Sequence, residues 1–203
     1  MTIKKGQDWG SRGDLNPDAP IVDSDRALAA LFTVTDAGLV GPSQVGLTGG
    51  DLAATLGARA TQEELRNSER TLLSIDLATV DTGGVVLVMA ASLVIRARWW
   101  RGPIRSVMNA SYLGEWNVAP SGHPNDGRLD VIEAQLGLGD RLKARKRLPA
   151  GAHVPHPAIS IRRLKSVSWD VERGQKVIID HEPVPDVTTV TVRVYPDATV
   201  IAV

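Results

Sequence analysis

The chain has 203 residues, of which 43% are hydrophobic, enough for one large domain or for one domain with a small addition. Its 23 basic and 23 acidic residues give a formal net charge of zero, so the overall charge argues neither for nor against nucleic-acid binding. The absence of cysteine excludes a disulfide scaffold and thiolate metal sites.

The first 70 residues combine a short strand, a glycine-rich turn and short helices. A predicted helix over residues 25–32 is followed by a strand at 44–47, which runs into Thr48-Gly49-Gly50-Asp51. We expect Asp51 to cap a helix that Gly57 closes. This succession of strand, turn and helices corresponds to a fragment of an α/β unit. We therefore assign residues 1–70 to a reduced α/β N-terminal segment.

Strands dominate the chain from residue 71 onward. A β-hairpin is predicted at residues 71–99, with its turn at 81–84. Short strand-like runs follow at regular spacing, interrupted by a single helix over 141–148 that Asp140 caps. Such strands indicate an antiparallel β-sandwich over residues 71–203. The predicted fold class is α+β, mainly β, with a few short helices.

The loop from Ala119 to Asp130 (APSGHPNDGRLD) is polar and conformationally demanding. Its Asn125-Asp126-Gly127 suits positive φ angles, which only Gly, Asn and Asp adopt at low cost. A long polar loop between two strands is more often functional than a plain hairpin. We expect its carboxylates to meet Asp180 and Glu182 at one site.

Asp180 and Glu182 are two residues apart in a strand-like run. On a strand they would share one face, with their Cα atoms roughly 7 Å apart, and His181 would face the opposite side. Two acids so placed can share a cation or raise each other's pKa, which suits a general base. The alternative is a solvated strand end that leads into Pro183.

Four motifs, in order, resemble the diacylglycerol/sphingosine kinase family, chiefly its C-terminal β-sandwich domain. The resemblance spans roughly residues 44–203. The matching segments are Val45-Gly46-Leu47-Thr48-Gly49-Gly50-Asp51-Leu52-Ala53 for the family's PxGTGNDFA, Ile75-Asp76-Leu77-Ala78 for an apolar-Asp-Leu-Gly strand, Gly114 through Val131 for xGGGxxxAPxAxxxDGxLDV, and Ile179-Asp180-His181-Glu182 for LDGE.

The resemblance implies a catalytic pair. The Asp of LDGE is the family's candidate base that activates the lipid hydroxyl, and the Glu supports it. These roles would fall to Asp180 and Glu182. His181 stands where the family has glycine, so we expect a less demanding backbone there. Residues of the nucleotide side would be Thr48, Gly49, Gly50 and Asp51.

The resemblance also implies a structural Mg²⁺. Its ligands would be Asp126, His123 and the main-chain carbonyl of Arg128. Magnesium prefers oxygen ligands, and His123 offers nitrogen instead. The alternative is an Asx-type loop held by its own hydrogen bonds.

One family motif is missing. The Gly-Gly-Asp-Gly-Thr loop that holds the ATP phosphates in relatives does not occur, and the residues ahead of Gln44 are too few for the family's βαβ units. Phosphoryl transfer needs cradled phosphates and a cation. We therefore expect a lipid-kinase-related pseudoenzyme that does not bind ATP alone and works with a nucleotide-binding partner protein. The alternative is a non-catalytic lipid- or anion-binding or protein-interaction module.

The later part of the chain contains a segment with basic residues only. From Arg141 to Lys165 there are eight basic residues and no acid, and on the predicted helix we expect Leu142 and Leu148 to turn inward. Such a run is either a solvated face or a patch for anionic lipid headgroups or another polyanion. With no aromatic residue among the basic ones, specific nucleic-acid binding is not expected.

Location and assembly are less specified by the sequence. No leader opens the chain, and its longest apolar run, Val85 to Ile95, is about half a membrane span. We expect a cytoplasmic protein without a transmembrane segment that can be peripheral at a membrane. One of Trp99 and Trp100 could be exposed at a membrane interface, because adjacent strand residues face opposite sides. The oligomeric state is not specified.

Overall fold

The computed structural model describes residues 9–97 and 102–203. The predicted membrane contact at Trp99 and Trp100, and most of a strand expected over residues 2–9, lie outside the described residues. The strands are β1 (Ser11–Gly13), β2 (Ile21–Val22), β3 (Thr33–Thr35), β4 (Gly38–Val40), β5 (Gln44–Leu47), β6 (Arg70–Asp81), β7 (Val86–Met89), β8 (Ser92–Arg96), β9 (Ile104–Met108), β10 (Tyr112–Leu113), β11 (Trp116–Asn117), β12 (Leu129–Ala134), β13 (Ile159–Leu164), β14 (Ser166–Asp170), β15 (Lys176–Ile179), β16 (Glu182–Val184) and β17 (Thr189–Ala202).

Four short helices accompany these strands. They are α1 (Asp25–Ala30), α2 (Asp51–Leu56), α3 (Gln62–Asn67) and α4 (Leu138–Arg147), and a 3-10 turn (Leu148–Ala150) follows α4. Within the described ranges, none of the helices has the length and apolarity that a membrane span requires.

The strands form two main sheets. One has seven strands in the order β1-β6-β17-β5-β2, with β14 beside β17 and β7 beside β6, and the other has six in the order β13-β12-β9-β8-β15-β16. The pairings are antiparallel, except that β5 runs parallel to β17 and to β2. Separate hairpins are formed by β3–β4 and β10–β11.

A hydrophobic core joins the two sheets. Its fully buried side chains come from both, for example Val80 and Val192 from the seven-stranded sheet and Leu93, Val107 and Val177 from the six-stranded sheet. Burial of side chains on the facing sides of two sheets is the packing of a β-sandwich. The predicted fold class, an α+β and mainly β chain built on an antiparallel sandwich, is confirmed.

From β7 onward the chain crosses between the two main sheets four times, and two of these crossings take only one or two residues. The predicted hairpin is confirmed as β6–β7, but its second arm divides at Ala90-Ala91, where the chain leaves the seven-stranded sheet for β8. A similar step at Lys165 separates β13 from β14. At the C-terminal end the chain forms one long strand, β17, with a register shift between Tyr195 and Thr199.

The N-terminal segment contributes to the seven-stranded sheet. The succession β2, α1, β5 and α2 places two parallel strands beside the end of β17, with helices packed against them. Leu28 of α1 and Leu52 of α2 are fully buried with Leu77 and Ile201 of the sheet. The predicted boundary at residue 70 falls at the start of β6, and strands on both of its sides belong to one sheet.

Helix α2 begins differently from the prediction. Its N-cap is Gly50, which makes no side-chain cap bond, and Asp51 is the first helical residue. The prediction that Asp51 caps this helix is wrong, because Asp25 of α1 accepts the first two amides instead. The predicted C-terminal end is confirmed, since Gly57 adopts φ 70°.

Helix α4 is longer than predicted and rotated. It begins at Leu138 after Gly137, so the expected cap at Asp140 is wrong. Leu142 is 47% exposed, and the expectation that it turns inward is also wrong. Arg141, Ala144 and Leu148 lie on the inner side instead, next to the six-stranded sheet.

Candidate functional site

Asp180 and His181 form the tight turn between β15 and β16. Both have positive φ angles, 45° and 68°, and Ile179 pairs with Glu182 across the turn. The prediction that Asp180 and Glu182 share one strand face is therefore wrong, as is the expectation of an undemanding backbone at His181. Two successive positive φ angles belong to a type I′ hairpin turn, where glycine is favoured.

The Asp180 carboxylate is buried and accepts three main-chain hydrogen bonds. The amides of Ala90, Ala91 and Ser92 donate to it over 2.8, 2.9 and 2.9 Å. Burial raises the pKa of Asp180, and these three amides oppose that rise. Because both oxygens are engaged, Asp180 fixes the turn against the crossover between the sheets.

His181 pairs with Asp51 beside this turn. Its Nε2 lies 2.7 Å from Asp51 Oδ2, and the other carboxylate oxygen accepts a 2.7 Å hydrogen bond from the Gly114 amide. The His181 side chain is 53% exposed, whereas that of Asp51 is only 7% exposed. The pair therefore connects the turn, the start of α2 and the β10–β11 hairpin, and presents an accessible imidazole.

Asp25 completes this cluster, and the sequence analysis missed it as a site residue. Its carboxylate accepts hydrogen bonds from the amides of Asp51 (2.6 Å) and Leu52 (3.0 Å). Burial raises the pKa of Asp25 to about 6, and these two amides counteract the rise. A possible signal was its place in the first turn after the Ser24 cap, but only the tertiary fold brings α1 against α2.

The loop Thr48-Gly49-Gly50-Asp51 is packed tightly against the start of α1. A Cβ atom at Gly49 would lie 2.3 Å from the Asp23 carbonyl oxygen, and one at Gly50 would lie 2.7 Å from the Asp25 carboxyl. Glycine is therefore required at both positions. Of the four residues predicted for nucleotide binding, Thr48, Gly49 and Gly50 thus form the connection between β5 and α2, and Asp51 begins α2.

Glu182 lies apart from the Asp180 carboxylate. It forms a 2.7 Å ion pair with Arg26, and both side chains are at least half exposed. Exposed ion pairs contribute little to stability. Glu182 therefore lies at the surface beside α1.

A cavity of about 540 Å³ opens next to His181. It lies between the outer side of the six-stranded sheet, the β10–β11 hairpin and α4. Apolar side chains make up much of its wall, including Val94, Ile104, Leu113, Trp116, Leu148 and Ile178. Three arginines, Arg96, Arg141 and Arg145, and one acid, Glu115, also line it.

Two of these arginines are held in place. Arg141 Nε donates to the Leu136 carbonyl over 2.9 Å, and its Nη2 donates to the Gly102 carbonyl. The Arg145 guanidinium lies 5.7 Å from the ring centroid of Trp116, within range of a cation–π contact. The cavity thus combines an apolar wall with fixed positive charge.

A second acidic cluster surrounds Asp76. Its fully buried carboxylate accepts hydrogen bonds from the amides of Gly127 (2.7 Å) and Asp197 (2.9 Å) and from Asn125 Nδ2 (3.4 Å). Burial raises the pKa of Asp76 to about 6, and the nearby Asp126 and Asp197 add to the rise. Asp76 holds the 119–130 loop on the end of the sandwich.

The predicted magnesium ligands make other contacts. Asp126 Oδ1 accepts the Arg128 amide at 2.9 Å, and Asp126 Oδ2 is 3.8 Å from Arg163 Nη1. His123 Nδ1 accepts the Asn125 amide at 3.2 Å, and burial lowers the pKa of His123. In the described ranges, no group of three or more histidine or acidic residues could hold a metal ion. The contacts fit the Asx-type alternative better than Mg²⁺, whose binding stays a prediction.

The two acidic segments were expected to meet at one site. Among the hydrogen bonds and ion pairs of the described residues, none joins Asp126 to Asp180. Asn109 lies between the clusters, and its Nδ2 donates to the carbonyls of Asp76 and Ala90, each over 2.8 Å. The two clusters are therefore linked through Asn109 and not by a direct hydrogen bond or ion pair between these carboxylates, and their common site stays a prediction.

Comparison with known proteins identifies the fold family. Residues 73–203 match the model of the YegS C-terminal NAD kinase beta sandwich-like domain, while no curated protein sequence matches the chain. Two solved structures from Bacillus anthracis str. Sterne, both described as diacylglycerol kinases, are similar at 13% identity. The first has a TM-score of 0.59, and the match covers 80% of this chain and 70% of that structure's chain. The second has a TM-score of 0.53, and the match covers 80% of this chain and 67% of that structure's chain.

These matches confirm the predicted relation to the C-terminal sandwich domain of lipid kinases. The family match covers more than half of the chain and includes all of the strands from β7 onward. The chain belongs to the family of YegS C-terminal NAD kinase β-sandwich-like domains and is a lipid-kinase-related protein.

Proposed function

We propose that this chain, by itself, does not bind ATP or transfer phosphate. The observation that carries the proposal is the position of Asp25. Its buried carboxylate accepts the amides of Asp51 and Leu52, the first two of α2. Any phosphoryl transfer at this fold would then require a nucleotide held by a separate partner protein.

Electrostatics support this proposal. Strand–loop–helix sites bind phosphate through main-chain amides that point at the anion. Here the amides at the start of α2 already donate to a carboxylate, and the Asp51 carboxylate lies beside them. A phosphate approaching this loop would compete with Asp25 for donors and face repulsion from Asp51.

Calorimetry with Mg²⁺ and ATP tests the proposal directly. We expect no saturable heat when the full chain is titrated, and no transfer of labelled phosphate to diacylglycerol in micelles. Micromolar ATP binding, or labelled phosphatidic acid formed by the purified chain, would contradict it.

A second candidate function, lipid binding without catalysis, is favoured by the cavity beside His181. Ligand pockets are typically about 300–1,000 Å³ with mainly apolar walls and a few placed polar groups. The cavity has this size and wall, and the arginines offer positive charge for an anionic headgroup. His181, oriented by Asp51, also lines the cavity and offers a further polar group.

The roles implied for the acidic pair change under this proposal. His181 would contact the ligand's polar group, whereas Asp180 would act as a positioning residue through the turn. Glu182 at the surface would take no direct part.

Cavity filling tests lipid binding. We expect Ala144→Trp, on the inner side of α4, to abolish lipid retained from a lipid extract as detected by native mass spectrometry. The control Lys143→Trp, on the exposed side of the same helix, should retain it. Equal retention by both variants would rule out this cavity as the lipid site.

A further inference from the structure

The outer side of α4 carries an exposed pair of leucines. Leu138 is 59% exposed and Leu142 is 47% exposed, and their i, i+4 spacing places them side by side on one stripe of the helix. No residue of α4 is buried. The leucines therefore form an apolar stripe that the described part of the fold does not cover.

Basic residues flank this stripe on both sides. At 100° per residue, Arg145 lies on one flank and Lys146 and Lys143 on the other, all exposed. Arg147 is exposed beyond them, and Asp140, ion-paired to Lys143 over 3.1 Å, is the single acid of the helix. An apolar stripe with basic flanks is the pattern of a helix that lies in a membrane interface.

We propose that α4 is a docking element for anionic membranes, with Leu138 and Leu142 inserted among the lipids and the flanking basic residues on the headgroups. This proposed membrane contact goes beyond the proposed function, because it requires neither a ligand in the cavity nor a nucleotide.

Charge complementarity favours this occupant over two others. A second copy of the chain would bring two basic helices together, which like-charge repulsion opposes. Single-stranded nucleic acid would use the basic residues and aromatic rings for stacking, but would leave the leucine pair in water. An anionic bilayer offers negative headgroups to the basic residues and an apolar interior to the leucine stripe.

Site-specific fluorescence provides the test. The chain has no cysteine, so Leu142→Cys introduces a single site for an environment-sensitive dye. Val85→Cys is the control, because Val85 is also exposed (59%, against 47% for Leu142) but lies away from α4, in the β6–β7 turn. We expect a blue shift of the dye at position 142, and none at position 85, with vesicles of equal parts phosphatidylcholine and phosphatidylglycerol.

Vesicle co-sedimentation of unlabelled protein extends the test. We expect Lys143→Glu with Lys146→Glu to weaken binding at least about tenfold, since each basic residue near an anionic surface contributes roughly fivefold. Leu138→Ser with Leu142→Ser should weaken it similarly, while Val85→Ser should not. Circular dichroism checks that each variant is folded.

Several results would overturn the proposal. These are equal binding to pure phosphatidylcholine vesicles, an unshifted dye at position 142 on sedimenting protein, or full binding by the leucine double variant. Binding of single-stranded RNA in place of vesicles, or a dimer that the α4 variants disrupt, would assign the surface to one of the other occupants.

Discussion

The residues that organise this molecule are buried carboxylates that accept main-chain amides. Asp180 holds the crossover between the sheets, Asp25 holds the start of α2, and Asp76 holds the 119–130 loop. A buried donor left without an acceptor costs about 1–3 kcal/mol, more when a charged partner is lost. These acids therefore stabilise the fold, whatever else they do.

Substitution of Asp180 should change the stability much more than substitution of its neighbour His181. We expect Asp180→Ala to lower the free energy of unfolding by about 3 kcal/mol or more, because three buried amides lose their acceptor. His181→Gly should change it by less than about 1 kcal/mol, since glycine relieves the positive φ angle while an exposed contact to Asp51 is lost. Urea unfolding measures both. An unchanged stability in Asp180→Ala would show that its carboxylate is not structural.

The raised pKa of Asp25 predicts a pH dependence. Its carboxyl has a folded-state pKa of about 6, against an ordinary value of 3.8, so the folded state binds more protons than the unfolded state between these values. Its contribution to stability is therefore present at low pH and is lost as the pH rises through about 6. His123 and His153 have lowered pKa values from burial and give the opposite slope.

A variant isolates this effect from that of the histidines. Asp25→Asn does not titrate, so its destabilisation relative to the wild type should be smaller at about pH 7.5 than at about pH 5, by about 1 kcal/mol. Urea unfolding of both proteins at the two pH values measures the difference. A destabilisation that grows with pH would contradict a raised pKa at Asp25.

At this scale the sequence predicted some contacts and missed others. Gly57 and Gly127 were recognisable, because both adopt the positive φ angle that their residue type favours, whereas Asn125 and Asp126 do not adopt one. The pair of Asp25 with the start of α2 was not, because it depends on how two helices pack. The His181 turn was misread because the residue type does not favour a positive φ angle, although the family's glycine at that place was a usable signal.

At the scale of elements, α4 differs from the strands. It has no buried residue and is attached mainly by Arg141, Ala144 and Leu148, whereas β6 and β17 each contain several fully buried side chains. Local opening is easiest where few apolar contacts are lost. The helix that covers the cavity is thus less anchored than β8, β9 and β15, the sheet strands beneath it.

Hydrogen exchange tests this difference. We expect amides of residues 138–147 to exchange many times faster than those of 72–80 in β6 at neutral pH, because opening α4 exposes little apolar surface. Mass spectrometry of peptic peptides resolves the two segments. Equal protection in both would mean that α4 opens only with the whole sandwich.

The elements themselves were largely predictable, but their placement was not. The Asp81-Thr82-Gly83-Gly84 turn and the regular strand spacing indicated a sandwich correctly. The inner side of α4 was predicted only in part. Leu148 lies there as expected, but Leu142 is exposed, and Arg141 binds main-chain carbonyls on that side. The switches between sheets at Ala90-Ala91 and Lys165 depend on tertiary packing that no local pattern specifies.

At the scale of the whole molecule, the acidic segments form two separate clusters on one sandwich. One joins α1, α2 and the β15–β16 turn beside the cavity, and the other closes the end near Asp76. The cavity, His181 and the outer side of α4 lie on or beside the six-stranded sheet. This arrangement supports lipid recognition more than nucleotide chemistry.

The most direct test of this account is the response of the Asp51 and Leu52 amides to ATP. In ¹⁵N-labelled protein titrated with Mg²⁺ and ATP, we predict that both amide resonances stay in place, because Asp25 retains them. Saturable shifts of these two resonances at micromolar ATP would show that the nucleotide displaces Asp25, and would contradict the proposal that the chain alone does not bind ATP.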